Sequence, residues 1–387
     1  MSFRYWALPL ALAALPDAAM AQSALPAPIE TQELQQLDAW TVGALPRNGG
    51  ALPNDMWSHS DPDFVAALFD KVPASFESPS QQRLVRRVLL SGATAPPGDA
   101  AQAARKRFEA IGRVGYADEL ATMAGGAGAS LTDPLIAQYA AQAELARGNR
   151  AGACERGRNA NMDQPAAFML RLRAYCAAVT GDRTAADLAL QLNAGGVAAD
   201  NAWYSAAVAA AGGAPGRTLP AARYDNSLNV QLSIAGNLRP GATPLASASS
   251  LALVALARND HTPQPYRAQA ASLAFRRGLL TVDETRAILR ATPPETTTGL
   301  PPIATAVRQV EASPGSLDAA TAIAGVLRQA TAPADFTAAS VLFKADIAAL
   351  TTAPDPAAAS LFARAALAAD DVPLALRLTL STGQAGL

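Results

Sequence analysis

The chain predicts an all-α fold, and three observations predict it. Roughly a quarter of the 387 residues are alanine, and alanine, leucine and arginine are strong helix formers. Apolar residues recur at helical spacing between Gly, Pro and Asp breaks, whereas no alternating β-branched run of useful length occurs. Gly115, Gly148 and Gly181 stand 33 residues apart, twice over, each ending one helical segment and opening the next. Composition removes several function classes. A formal net charge of −1 leaves no basic surplus for nucleic acid. At 16% charged residues there is no dense charge to keep the chain disordered. Two cysteines are too few for a disulfide-rich scaffold or a four-Cys zinc site.

Met1 to Ala21 carries Arg4, an apolar run over Tyr5–Leu15, a break at Pro16-Asp17, and the small-x-small pattern Ala19-Met20-Ala21. This reads as a signal peptide cleaved after Ala21, too short an apolar run for a membrane anchor. Three lysines against 28 arginines, with the alanine excess, fit a GC-rich bacterial genome. A periplasmic protein with no stable membrane insertion is therefore expected.

Residues 22–56 are rich in Pro, Gly, Gln and Ala and read as an irregular leader, with a short helix possible over Thr31–Trp40. A helical region is expected over 57–212. Phe64, Val65, Leu68 and Phe69 form an apolar stripe, as do Leu84, Val85, Val88 and Leu89 within Gln81–Leu90. Ala95–Gly98 ends that unit. Ala153 and Ala186 stand five residues after Gly148 and Gly181, Leu120 five after Gly115, and Ala375 follows Asp370-Asp371 in the same way. A small residue there lets two helices approach closely. Ala199–Ala211 reads as a helix, and 213–246, rich in Gly, Pro, Asn and Ser, as a connector. The region 247–387 is expected to be helical again: Ser247–Arg258, Pro265–Gly278, Val282–Arg290, Leu317–Gln329, Ala334–Leu350, Pro356–Ala369 and Val372–Thr379, with a Pro-rich break over Thr292–Gly315 that holds a helix at Ile303–Glu311.

The Gly-Asn/Asp turns with a small residue five positions on, over about Phe108–Asn193 and again near Asp370, resemble tetratricopeptide-like helix-hairpin repeats. The resemblance implies a right-handed helical solenoid and carries over no functional residue. The first-helix Trp and Leu and the closing Pro of that family are not matched. An exported superhelix is also distantly similar to the α-superhelical region of soluble lytic transglycosylases. Their catalytic Glu-Ser is matched only by Glu77-Ser78, with Pro79 directly after it and no Gly-Leu-Met-Gln downstream. The activity is therefore not expected here.

Cys154 and Cys176 are expected to pair in an oxidising compartment, the alternative being two buried thiols. Adjacent helices bring such Cα atoms within ~4.4–6.8 Å. His59 and His261, the only histidines, stand at helix boundaries with no further ligand placed near them. No Gly-x-Ser-x-Gly elbow occurs, Ser340 and Lys344 miss the Ser-x-x-Lys spacing, and no lysine follows the glycine of a phosphate loop. Gly125–Gly128 reads as an inter-repeat turn. Threonines cluster in linkers such as Thr296–Thr298 rather than in the regular array of an ice-binding helix. No catalytic residue, metal or cofactor is assigned.

The expected function is a non-enzymatic scaffold binding an envelope protein or peptide on a concave face. Arg150, Arg156, Arg158, Arg171 and Arg173 make the middle of the chain locally basic. They are the candidate partner-binding residues, for an acidic peptide or an anionic envelope polymer. The alternatives are an accessory to a cell-wall enzyme, or a structural protein that self-associates through its C-terminus.

Overall fold

The computed structural model describes residues 38–381 apart from 161–165, 194, 196, 294, 295, 297 and 352–354. The expected signal peptide, and most of the expected helix at Thr31–Trp40, lie outside the described residues. Among the described residues there are nineteen α-helices, two short 3₁₀ turns and no strand. The all-α expectation is met. No helix among these residues is long and apolar enough to cross a membrane.

Helices α1 (Pro62–Asp70), α2 (Pro79–Leu90), α3 (Ala101–Val114) and α4 (Ala117–Gly126) build a first core. The stripes read from the sequence are narrower than expected. Val65, Phe69 and Leu89 are buried, but Phe64 is 64% and Leu84 56% exposed, and Leu68 is exposed too. The core needs only one edge of α1 and α2. The remaining space is filled by the described part of the leader, which has no α-helix yet buries Ala39, Trp40 and Val42.

Arg107 of α3 holds that strap in place. It is fully buried and its guanidinium donates to five carbonyls: Leu89 (3.0 Å) and Ser91 (2.6 Å) at the end of α2, and Ala39 (2.7 Å), Trp40 (3.1 Å) and Val42 (3.3 Å) in the strap. The end of a helix presents unpaired carbonyls and partial negative charge, which a buried cation offsets. Burial pushes the Arg107 pKa down to about 10. Strap and α2 end cross so closely that a Cβ on Gly43 would collide with the Gly92 backbone.

Next come α5 (Pro134–Ala146), α6 (Arg150–Asn159), α7 (Ala167–Val179), α8 (Arg183–Leu192), α9 (Ala198–Ala211) and α10 (Ser227–Ala235). Helix α10 lies inside 213–246, expected as a connector. Its Leu228, Val230 and Leu232 are buried, and so are Ser227, Asn229 and Ser233. The polar residues that hid it as a loop find hydrogen-bond acceptors in the fold: Ser227 donates to the Gln142 carbonyl and the Asn229 amide N–H to Asp225. Helix α5 is buried almost all round, as an alanine-rich helix must be when it serves several neighbours. Its Ile136 and Ala140 join the first core, its Ala137, Ala141 and Leu145 a second core with α7 and α9, and its Ala146 a third.

That third core is built by α11 (Ser250–Arg258), α12 (Tyr266–Arg276), α13 (Val282–Arg290), α14 (Pro302–Ala312), α15 (Leu317–Gln329), α16 (Pro333–Leu342), α17 (Lys344–Ala349), α18 (Pro356–Ala368) and α19 (Val372–Ser381). The helix expected over Ala334–Leu350 divides at Phe343 into α16 and α17, and α11 begins at Ser250 behind the Ser249 cap rather than at Ser247. Helix α11 packs back against α3 and α5. The described residues thus form one unit across the expected boundary at 213–246.

The glycine periodicity has a physical cause. Gly115, Gly148 and Gly181 all take positive φ, at 103°, 78° and 84°. At Gly148 the N–H bonds the Leu145 carbonyl (3.1 Å) and the next N–H, of Asn149, bonds the Glu144 carbonyl (2.8 Å). Gly181-Asp182 repeats this with Ala178 (3.0 Å) and Ala177 (2.9 Å), and Asp370-Asp371 with Leu367 (3.1 Å) and Ala366 (2.9 Å). This is the Schellman closure of a helix. The following Asn149, Asp182 and Asp371 then cap the next helix through their side chains. Two residues close one helix and open another. Ala153, Ala186, Ala375 and Leu120, five positions on, are all buried.

Candidate functional site

A groove with charged walls, about 770 Å³, lies where α6 and α7 face α10, α11 and the loop after α11. Its α6 wall is made by Arg150, Cys154 and Arg158, spaced i, i+4, i+8 and therefore on one stripe of the helix. Tyr175, Val179 and Thr180 at the end of α7, Gln231 of α10, and Arg258, Asn259, Asp260 and His261 complete it. The Asn149 cap orients the α6 stripe by fixing where that helix starts.

Cys154 and Cys176 are joined by a disulfide across α6 and α7, with Cα atoms 5.8 Å apart. The pairing read from the sequence is present. It ties the stripe to α7 between two turns that are closed by glycine.

The five arginines of the basic middle region have different roles. Arg150 and Arg158 line the groove and pair with no carboxylate among the described residues. Arg156 faces the other way, onto the buried Glu144 at 3.1 Å. Arg171 stacks over the Tyr204 ring, 4.1 Å from its centroid. Arg173 closes the end of α6, donating to the carbonyls of Gly157 (2.6 Å), Arg158 (3.1 Å) and Ala160 (3.2 Å). Desolvation lowers its pKa. Three of the five thus hold helices together, and Arg150 and Arg158 line the groove.

The other charges in the groove are engaged. Arg258 grips Asp118 with two bonds (3.2 and 2.8 Å) and Glu284 at 2.7 Å. Burial lowers its pKa, but the two carboxylates outweigh this and raise it. Asp260 pairs with Arg267 at 2.5 Å. Tyr175 is buried, which raises its phenol pKa, while Arg150 opposes the shift. His261 is exposed on the rim, and its backbone N–H donates to Asn259. Among the described residues Arg150 and Arg158 meet no carboxylate, and they give the groove positive charge.

His59 is exposed in a turn far along the chain from His261. Among the described residues no three His, Cys, Asp or Glu side chains gather in a way that would hold a metal ion. The groove walls carry the Arg150, Arg158 and Arg258 guanidiniums, the Tyr175 phenol, the Thr180 hydroxyl and side-chain amides, together with Asp260 and His261. Sequence reading missed Arg258 and Tyr175. The i, i+4, i+8 spacing of Arg150, Cys154 and Arg158 was the available signal that separates the two groove arginines from the rest.

No family model matches the chain, and neither a curated protein nor a solved structure matches it.

Proposed function

We propose that the protein is an exported, non-enzymatic helix-hairpin repeat scaffold, tetratricopeptide-like in arrangement, that holds an acidic peptide segment of an envelope protein in the groove beside α6. The observation that carries this reading is the pair Arg150 and Arg158, unpaired with any carboxylate among the described residues and lining one concave surface. A groove of one sign attracts the opposite charge and speeds its encounter. The disulfide supports export. The recurrent Gly-Asn/Asp closures support stacked hairpins, and stacked hairpins create such surfaces.

Titration calorimetry of the purified oxidised protein with a glutamate-rich peptide tests the reading. Binding is expected at low salt, weaker at physiological salt, and lost in Arg150→Glu/Arg158→Glu. Equal binding by that double variant overturns it. N-terminal sequencing of the exported protein tests the address, and Gln22 is the expected first residue.

A second reading has its own observation. Val372, Leu376 and Leu380 are exposed at i, i+4, i+8 on α19, an apolar stripe that fits self-association. Sedimentation at several concentrations separates a monomeric adaptor from a protein that pairs through this helix.

A further inference from the structure

The groove does not end at Arg158. Cys154, Arg158 and Thr180 line it, and the same three residues line an adjoining trough of about 410 Å³. The chemistry changes across that shared wall. The trough is aliphatic, bounded by Leu170 and Ala177 of α7 and by Leu188, Ala189 and Leu192 of α8. Leu188 and Leu192 are i, i+4 neighbours and stand 56% and 59% exposed. A single exposed leucine means little. Two on one helix stripe, in a concavity beside Arg158, which pairs with no carboxylate among the described residues, form a patch of the kind that binding sites use.

Two of the three charged side chains that line the trough are engaged. Arg173 is bonded to the end of α6, and Asp182 caps α8 through the Ala185 N–H. Arg158 is the one charged side chain common to both concavities. The disulfide ties the α6 stripe to α7, the helix that supplies part of the trough, so the two surfaces keep a fixed separation.

Resting on the acidic-partner reading above, we propose that the partner segment is bipartite: an acidic stretch contiguous with a short aliphatic one. Its carboxylates face Arg150 and Arg158, and its aliphatic side chains pack on Leu188 and Leu192. Charge complementarity selects the first part and the trough selects the second. A polyanionic glycan offers only the first.

Calorimetry on the full-length oxidised protein tests this with defined probes: a run of glutamates, a leucine-alanine run, and the two joined. The joined peptide is expected to bind about tenfold more tightly than the glutamate run, a difference of about 1.4 kcal/mol. Leu188→Asn/Leu192→Asn, which adds no charge beside Arg158, is expected to remove that gain and leave the affinity for the glutamate run unchanged. Both positions are exposed, and an unchanged melting temperature verifies that the variant folds. Equal affinity for the joined peptide and the glutamate run overturns the bipartite inference while leaving the acidic-partner reading in place. Absence of binding by the glutamate run at low salt overturns the acidic-partner reading itself. Heparin binding as tightly as the joined peptide also overturns the bipartite inference, because a glycan has nothing to place in the trough.

Discussion

Two arginine-bearing regions face opposite ways. Around α3, Arg107 is fully buried and gives its donors to five backbone carbonyls. Around α6, Arg150 and Arg158 border a groove and pair with no carboxylate among the described residues. The difference shows what an arginine-rich composition conceals. The same side chain is a fastener where helix ends and a strap must be neutralised, and stays at a groove wall where no described carboxylate meets it. Charge density along the sequence does not separate the two roles. The number of local acceptors does.

The comparison breaks most visibly at Arg107. Arg107→Met leaves buried carbonyls of the strap and the α2 end without donors, and should cost about 3–5 kcal/mol. Denaturant unfolding measures this. A cost below about 1 kcal/mol would mean that the strap is held by Trp40 and Val42 alone. The disulfide comes next. Cys154→Ser/Cys176→Ser should lower stability by about 3 kcal/mol, from a closed loop with a sequence separation of 22, and the melting temperature under reducing and oxidising conditions reads it directly.

Gly181→Ala should cost about 1 kcal/mol. Its Cβ would meet nothing within 4 Å, so the penalty is the positive φ of 84° alone. Thermal unfolding of the variant checks this, and no change would show that the turn relaxes to another closure. The smallest stability effect belongs to the groove. Arg150→Ala and Arg158→Ala should each change stability by less than about 0.5 kcal/mol while weakening acidic-peptide binding. A large loss of stability in either would place it with Arg107 as a fastener, and the contrast between the two regions would disappear.

Much of the secondary structure was legible because its punctuation is local. Gly115, Gly148 and Gly181 announce positive φ, and the Asn or Asp after two of them announces a cap. The cysteine pair was legible from its placement across two adjacent turns. Helix α10 was not, because its Ser, Asn and Gln side chains look like a loop until Gln142 and Asp225 accept hydrogen bonds from two of them. The outward face of α1 and α2 was not legible either. Periodicity counts apolar residues, whereas burial depends on how many neighbours arrive, and Phe64, Leu68 and Leu84 receive too few. The groove was half legible. All five arginines of the basic region are evident in the chain, but Arg156, Arg171 and Arg173 find Glu144, Tyr204 and the end of α6 only after folding.

The strap around Arg107 also has a consequence for the order of events. Turns such as Gly148-Asn149 close through bonds between residues no more than five apart, so they form as soon as those residues exist. Arg107 reaches Ala39 across 68 residues and Val42 across 65. Contacts of that separation pay loop closure before they stabilise anything. The first segment of the described chain is therefore among the late ones to settle. It waits for the end of α2 and for Arg107, while the hairpins behind it mature independently.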